Sequence, residues 1–152
     1  MRAFHLDDES PIDRATLEAE GIHVDRAEPG AHEPVIAALM ARGGYLERDE
    51  VRMGAATPDL DALRAKFAEE HHHDDDEVRF VLEGEGIFDI RSRADRWMRV
   101  VVHPGDLIVV PRDRHHRFLL TDAVAIRCVR LFRDRQGWVP HYRSEAGRTE
   151  TG

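Results

Sequence analysis

The order of apolar and polar residues predicts helices in the first part of the chain. The predicted helices begin near Ile12, span His32 to Ala41, and follow Thr57-Pro58-Asp59, the last carrying Leu60, Leu63 and Phe67 on one face. Ser10-Pro11 is a typical helix start, and Gly21 a typical stop. Residues 45–53 are polar and favour neither helix nor strand.

After Glu70 the pattern changes to short apolar runs separated by glycine and proline turns. The runs cover residues 78–82, 87–90, 97–102, 107–110, 118–120 and 124–132. Such spacing is typical of an antiparallel sandwich or barrel. We therefore expect a mainly β protein with one domain over residues 1–142: a helical part over 1–69, packed outside a barrel over 70–142. The polar residues 143–152 are expected to form a flexible tail.

Composition and charge exclude several classes of protein. The 152 residues suit one domain, and the net charge of -8 disfavours nucleic acid or an anionic membrane as a partner. No apolar run approaches the roughly 18 residues that span a bilayer. Cys128 is the single cysteine, and the N-terminal residues lack the apolar core of a signal peptide. We expect a cytoplasmic monomer.

Candidate chemistry is concentrated in two histidine groups, His71-His72-His73 and His115-His116. A solvated polar tract is the simple alternative, but both groups lie beside strand patterns. Alternate residues of an extended segment share a face, so His71 and His73 point the same way, and Glu77 follows one acidic turn later. Two imidazoles and a carboxylate suit Fe(II), Ni(II) or Mn(II) better than a structural zinc site, which typically uses thiolates.

The spacing of these residues resembles the two sequence motifs of the cupin superfamily. The motif positions are His71, His73, Glu77 and Gly84, then Gly105, Pro111 and His116. The second motif departs at Asp113, where glycine is usual, and at Leu120, where asparagine is frequent. The resemblance implies a jelly-roll barrel (a double-stranded β-helix) and a metal held by His71, His73, Glu77 and His116. It leaves His72 and His115 as solvated or supporting neighbours.

The residues around the motifs are similar to the acireductone dioxygenase family over roughly residues 15–140. The similar segments are Lys66 to His71, Asp76 to Phe80, Glu83 to Asp89, Asp106 to Pro111, His116 to Phe118, Arg130 to Phe132, and Trp138. The resemblance implies one Fe(II) or Ni(II) per chain and, as partners, acireductone (1,2-dihydroxy-3-keto-5-methylthiopentene) and O2, in methionine salvage. Iron would give formate and 4-methylthio-2-oxobutanoate. Nickel would give formate, carbon monoxide and methylthiopropionate.

Two arginines are expected to act on the substrate. Arg79 lies two positions after Glu77 and shares its strand face, and the family pattern places an arginine there that could neutralise an enediolate. The alternative for Arg79 is an ion pair with Glu77 or another acidic neighbour. Arg130 has a similar predicted role, with a surface arginine on an edge strand as its alternative.

Other residues are expected to shape the pocket. Phe67, Phe118 and Trp138 would wall it and contact the thioether tail, with core packing as the alternative for each. Glu70 and Asp76 flank the ligands and would orient an imidazole, unless they are merely solvated.

Two other functions stay open: a different cupin oxygenase, acting on a thiol or a diketone, and a non-catalytic cupin binding module. Cys128 lies in the middle of a predicted strand and is expected to be a buried structural thiol, which disfavours a thiol dioxygenase. A sensor would usually carry a DNA-binding domain, for which we see no room in 152 residues.

Overall fold

The computed structural model describes residues 1–134 and 138–143. The helices of this part of the chain are α1 (Arg14–Ala19), α2 (Glu33–Gly43) and α3 (Leu60–Ala68). Among the described residues, no helix is long and apolar enough to cross a membrane. Apart from Arg143, the tail expected over residues 143–152 lies outside the described residues.

The strands form two antiparallel sheets. They are β1 (Arg2–His5), β2 (His23–Arg26), β3 (Glu47–Gly54), β4 (His71–His72), β5 (Glu77–Gly84), β6 (Gly86–Arg91), β7 (Trp97–Val102), β8 (Asp106–Val110), β9 (His116–Leu120), β10 (Ala125–Phe132) and β11 (His141–Tyr142). One sheet has the order β1-β7-β6-β9-β4-β11, and the other has the order β2-β8-β5-β10-β3. The prediction of a mainly β cupin barrel is confirmed.

The barrel core lies between the two sheets. Phe88 and Phe118 of the first sheet share one buried cluster with Val81 and Ile108 of the second. Residues of β5 alternate between this interior and the outer face, as the two-residue period of a strand requires. Burial of this interior supplies the main stabilising free energy of the fold.

Helix α2 covers the outer face of the second sheet, which explains why residues 78–82 are almost continuously apolar. Val78 and Phe80 point away from the barrel and pack with Ile36 and Leu39 of α2 in a second buried cluster. A strand that is buried on both faces loses the alternation of apolar and polar residues. The prediction that a helix packs outside the barrel is confirmed for α2.

The prediction of a helical part over residues 1–69 was incomplete, because three strands of this part belong to the sheets. β1 pairs with β7, β2 with β8, and β3 with β10. The polar stretch around residues 45–53 contains β3, an edge strand in which half of the residues are exposed and only Met53 is buried. One edge of β3 faces solvent, so few of its residues need to be apolar, and the strand shows no clear apolar pattern.

The first helix begins later than the proline signal predicts. Asp13 caps α1, and its carboxylate accepts a hydrogen bond of 2.8 Å from the backbone N–H of Thr16. Ser10 instead hydrogen-bonds to Asp8, and Pro11 forms an isolated bridge with Phe4 of β1. The predicted cap at Ser10 was therefore wrong, because α1 begins at Arg14 and Asp13 is the residue that precedes its first turn.

The two departures from the second cupin motif fit the barrel. Asp113 has a φ of 66°, the left-handed conformation that favours glycine and that aspartate tolerates better than most residues. Leu120 is 9% exposed and belongs to the core cluster between the sheets.

Candidate metal centre

Three strands of the barrel bring together the four predicted ligands. His71 lies on β4, Glu77 begins β5 and His116 begins β9, while His73 follows β4 directly. His71 and His116 are cross-strand partners, with ring centroids 4.6 Å apart. The ring of His73 lies 4.9 Å from that of His71 and 5.3 Å from that of His116. All four residues are buried, with between 2% and 6% of their surface exposed.

Backbone carbonyls orient two of the imidazoles. Nδ1 of His71 lies 2.6 Å from the carbonyl oxygen of Glu69, and Nδ1 of His116 lies 2.9 Å from that of Arg114. A carbonyl only accepts hydrogen bonds, so each Nδ1 carries the proton and donates it. Each Nε2 is then left with a free lone pair, which is the arrangement that metal-binding histidines use.

Atoms at the middle of the cluster are buried without hydrogen-bond partners. Nε2 of His116 lies 2.9 Å from Oε2 of Glu77, but the direction is not that of a hydrogen bond, and neither atom has another partner within the described chain. Nε2 of His73 lies 4.0 Å from Oε1 of Glu77. Unpartnered buried polar atoms are costly, by about 1–3 kcal/mol each, and a shared cation would satisfy them. The residues therefore fit a divalent transition metal with three imidazole ligands and one carboxylate.

Burial and neighbouring charges shift the pKa values of the four candidate ligands. Burial lowers the pKa of His71, and it lowers the pKa of His73 to about 4. Burial opposes ionisation of Glu77, but His116 and Arg79 outweigh it and hold the pKa of this carboxyl well below its usual value. Burial also disfavours the charged form of His116, yet the carboxylate of Glu77 raises the pKa of this ring. The rings of His71 and His73 are therefore neutral at neutral pH, and the carboxylate of Glu77 is ionised.

A cavity of about 280 Å³ lies beside the ligands, and Arg79 forms part of its wall. Nη2 of Arg79 donates a 3.3 Å hydrogen bond to Oε1 of Glu77, so the predicted ion pair is present. Nε of the same side chain is buried and has no partner among the described residues. The Arg79 guanidinium also lies 5.5 Å from the ring of Trp138. Arg79 thus lines the cavity and binds Glu77, and its Nε is buried without a hydrogen-bond partner among the described residues.

Arg130 also lines the cavity, and it is the cross-strand partner of Arg79. Its Nε and Nη2 donate to the two carboxylate oxygens of Asp49 at 2.8 and 2.7 Å. β10 lies between β5 and β3, so the alternative of an arginine on an edge strand was wrong. The bidentate pair fixes the guanidinium at the cavity wall.

The three predicted aromatic residues take different positions. Phe67 and Trp138 line the cavity, and Trp138 stacks on His73 with ring centroids 5.6 Å apart. Phe118 meets Phe67 edge-on at 6.3 Å, but it lines a neighbouring apolar cavity of about 360 Å³ and not the one at the ligands. Phe67 borders both cavities. The structure thus places Phe118 in the wall of the neighbouring cavity, in contact with Phe67, and not in the wall of the cavity at the ligands.

Glu70 and Asp76 do not orient the imidazoles, which was their predicted role. The carboxylate of Glu70 binds the guanidinium groups of Arg91 and Arg143. That of Asp76 accepts hydrogen bonds from Tyr45, Arg133 and the backbone of Arg112. Carbonyls already hold the Nδ1 atoms of two of the rings, and these carboxylates instead join segments that are far apart in the chain.

Sequence reasoning missed four residues of the cavity wall or its support: Lys66, Pro140 and Tyr142 in the wall, and Asp49, which binds Arg130. Tyr142 lines the cavity and is the cross-strand partner of His71, with ring centroids 5.9 Å apart. Asp49 holds Arg130, and it lies in the polar stretch that gave no strand signal. The pairs Tyr142–His71 and Asp49–Arg130 join residues that are far apart in the chain, so the pattern within one segment cannot predict them.

Comparisons with known proteins agree on one family. The family described as "ARD/ARD' family" matches residues 12–140, a range that includes all four candidate ligands. An acireductone dioxygenase of Heterostelium pallidum is 38% identical over 140 residues, covering 92% of this chain and 96% of that protein. One from Dictyostelium discoideum is 40% identical over 146 residues, covering 92% and 97%. The solved acireductone dioxygenase from Bacillus anthracis, with a cadmium ion in its active centre, has a TM-score of 0.88 and 30% identity, covering 93% of this chain and 97% of that one.

Proposed function

The chain belongs to the ARD/ARD' family, and from that premise we propose that it is an acireductone dioxygenase of methionine salvage. Its substrates are 1,2-dihydroxy-3-keto-5-methylthiopentene and O2. One Fe(II) or Ni(II) is held by His71, His73, Glu77 and His116. The observation that carries this proposal is the set of four buried ligands beside a cavity whose wall includes Arg79.

The ligand count leaves room for a substrate. Four protein ligands on an octahedral ion leave two positions open, whereas a structural site would be closed. Bound there, the metal supplies the Lewis-acid and redox chemistry that a reaction of an enediol with O2 requires. The cavity of about 280 Å³ beside the ligands is of the size that a small substrate needs.

The side chains of the wall hold the anionic substrate. The enediolate carries negative charge, and Nε of Arg79 is a buried donor with no other partner within the described chain. Glu77 fixes the orientation of Arg79 through Nη2. Arg130, held by Asp49, adds a second positive charge at the cavity wall. Such donors, fixed before the substrate arrives, stabilise developing charge at little reorganisation cost.

Aromatic residues accept the apolar part of the substrate. Phe67 and Trp138 line the cavity, and the neighbouring apolar cavity begins behind Phe67. A thioether tail contacts aromatic rings favourably. Phe118 contributes from the second cavity. Trp138 also covers His73, which limits the access of water to the ligands.

The identity of the metal sets the products in this proposal. Imidazole and carboxylate ligands suit both Fe(II) and Ni(II), so availability decides which one is bound. With iron the products are formate and 4-methylthio-2-oxobutanoate, and with nickel they are formate, carbon monoxide and methylthiopropionate. All four ligands lie on one chain, so a monomer, which is the state we propose, can hold the metal without a second chain. The free thiol of Cys128, whose pKa burial raises, accords with a reducing cytoplasm.

The test is reconstitution of metal-free protein with either Fe(II) or Ni(II), followed by acireductone and O2. We expect oxygen uptake with both metals and carbon monoxide only with nickel, detected by gas chromatography. Protein that binds one equivalent of either metal and consumes no oxygen with acireductone would contradict the proposal. Oxygen uptake with nickel but no carbon monoxide would contradict the assignment of products.

A further inference from the structure

A second group of metal-binding side chains lies on the opposite face of the strands that carry the buried ligands. His72 alternates with His71 and His73 along the chain and so points the other way. It is the cross-strand partner of His141 on β11, with ring centroids 4.9 Å apart. The ring of His115 lies 5.0 Å from that of His72.

Two aspartates complete this group. The nitrogen or oxygen ligand atoms of His72, Asp74 and Asp113 all lie within 4.8 Å of one another. Nε2 of His141 lies 3.1 Å from Oδ2 of Asp74, and Nδ1 of His72 lies 3.9 Å from Oδ1 of Asp113. We call these four residues, His72, Asp74, Asp113 and His141, the outer His–Asp cluster.

One nitrogen of the outer His–Asp cluster is already withdrawn from solvent. Nδ1 of His72 is buried and has no hydrogen-bond partner among the described residues. By contrast, the side chains of Asp74 and Asp113 are 62% and 65% exposed, so they can turn toward an ion. Transition metals bind such atoms at about 2.0–2.2 Å, and exposed side chains reach that distance with small rotations.

We propose that the outer His–Asp cluster binds one divalent transition metal, such as Ni(II) or Zn(II), independently of the buried centre. Two imidazoles and two carboxylates form a mixed nitrogen and oxygen set that suits these ions. The two aspartates carry two negative charges, which balance the charge of the ion. No ligand is shared with the buried centre.

A bound ion would join three segments of the chain. His141 belongs to β11, Asp74 follows β4, and Asp113 lies in the turn between β8 and β9. Shortly before His141 come Trp138 and Pro140, which line the substrate cavity. The ion therefore fastens the segment that closes one wall of that cavity to the body of the barrel.

The test is a titration of the metal-free full chain with NiCl2, followed by calorimetry and elemental analysis. We expect two equivalents, the first at the buried centre and the second at the outer His–Asp cluster. His141→Ala and Asp74→Ala should each weaken the second equivalent by more than about tenfold, because each removes a direct ligand. Both variants should keep the first equivalent, which also reports that they fold.

His103→Ala is the matched control, because His103 is an exposed histidine 3.5 Å from a carboxylate oxygen of Glu85. It should bind two equivalents like the parent. The second equivalent should also slow hydrogen exchange of the backbone amides of β11 in the parent and leave them unchanged in His141→Ala. A parent that binds one equivalent, and keeps it in His141→Ala, overturns the proposal and leaves the buried centre and the dioxygenase reaction untouched. A second equivalent that survives in both variants overturns it as well.

Discussion

Glu77 contacts His116, which is another ligand, and Arg79 in the cavity wall. We therefore expect metal binding to depend more on the charge of Glu77 than on its size. Glu77→Gln keeps the side-chain volume but removes the anionic ligand, and we expect binding of the first Ni(II) to weaken by more than about a hundredfold. Elemental analysis after gel filtration measures this. Glu83→Gln, on the exposed end of the same strand, is the control and should bind metal like the parent. If Glu77→Gln held as much metal at the buried centre as the parent does, Glu77 would not be a ligand.

Arg79 should matter for turnover and not for metal binding. Arg79→Ala removes a guanidinium from the cavity wall while all four ligands remain. We expect kcat/KM for acireductone to fall about a hundredfold or more, as for the loss of a preorganised donor. Arg127→Ala, which removes an arginine paired with exposed Glu50 and Glu83, is the control and should keep its activity. Oxygen uptake that is unchanged in Arg79→Ala would refute this role.

Protons should compete with the metal mainly at His116. Burial disfavours the charged form of this ring, but Glu77 outweighs burial and raises the pKa above 6.5, so the ring takes up a proton as the pH falls through that raised value. His71 and His73 have lowered pKa values and stay neutral there. We therefore expect Ni(II) affinity at the buried centre to fall as the pH drops from about 8 to 6, up to tenfold per unit. Titration of His141→Ala isolates this centre, and a flat affinity would contradict the assignment.

Among the elements of the fold, the strands that are buried could be predicted, because their buried positions require apolar residues. Apolar runs and turn residues located β5 to β10 because these strands are buried on one or both faces. β3 gave no such signal, since it is an edge strand in which only Met53 is buried. β1 and β2 are four residues each, too short for a period to be read.

In the site too, contacts between residues close in sequence could be predicted, and contacts between residues far apart could not. His71, His73 and Glu77 are close in sequence, so their spacing predicted that they meet. Glu70 was misjudged because its partners Arg91 and Arg143 lie far along the chain. The carbonyls that orient the imidazoles belong to the backbone, and no residue type marks them.

Gly84 ends β5 in a conformation that its neighbours require. Its φ is 75°, and a Cβ there would lie 2.1 Å from the carbonyl oxygen of Ala125 at the start of β10. Gly84→Ala combines a left-handed alanine with a backbone clash, and we expect it to lower the free energy of unfolding by roughly 3 kcal/mol or more. Chemical denaturation measures this.

The control for Gly84 is Gly30→Ala. Gly30 also has a positive φ, 94°, but a Cβ there would meet nothing within 4 Å. It should lose only the conformational part, about 1–2 kcal/mol. If the two variants lost the same free energy, the contact between the end of β5 and β10 would not be what requires glycine at residue 84.

For the whole molecule, the buried metal is a link between the two sheets. His71 and His116 belong to the six-stranded sheet, and Glu77 belongs to the five-stranded sheet. The unfolded chain does not assemble this site, so the ion binds the folded state and stabilises it by about 2.7 kcal/mol at a free concentration one hundred times Kd. We expect the Tm of the protein to rise when Ni(II) is added after treatment with a chelator, measured by calorimetry.

In His141→Ala, which lacks a ligand of the outer His–Asp cluster, the rise should persist. It should disappear when Glu77→Gln is added to that background, because the remaining ligands then lie on one side of the barrel. A rise of equal size in both proteins would mean that the stabilising ion binds elsewhere.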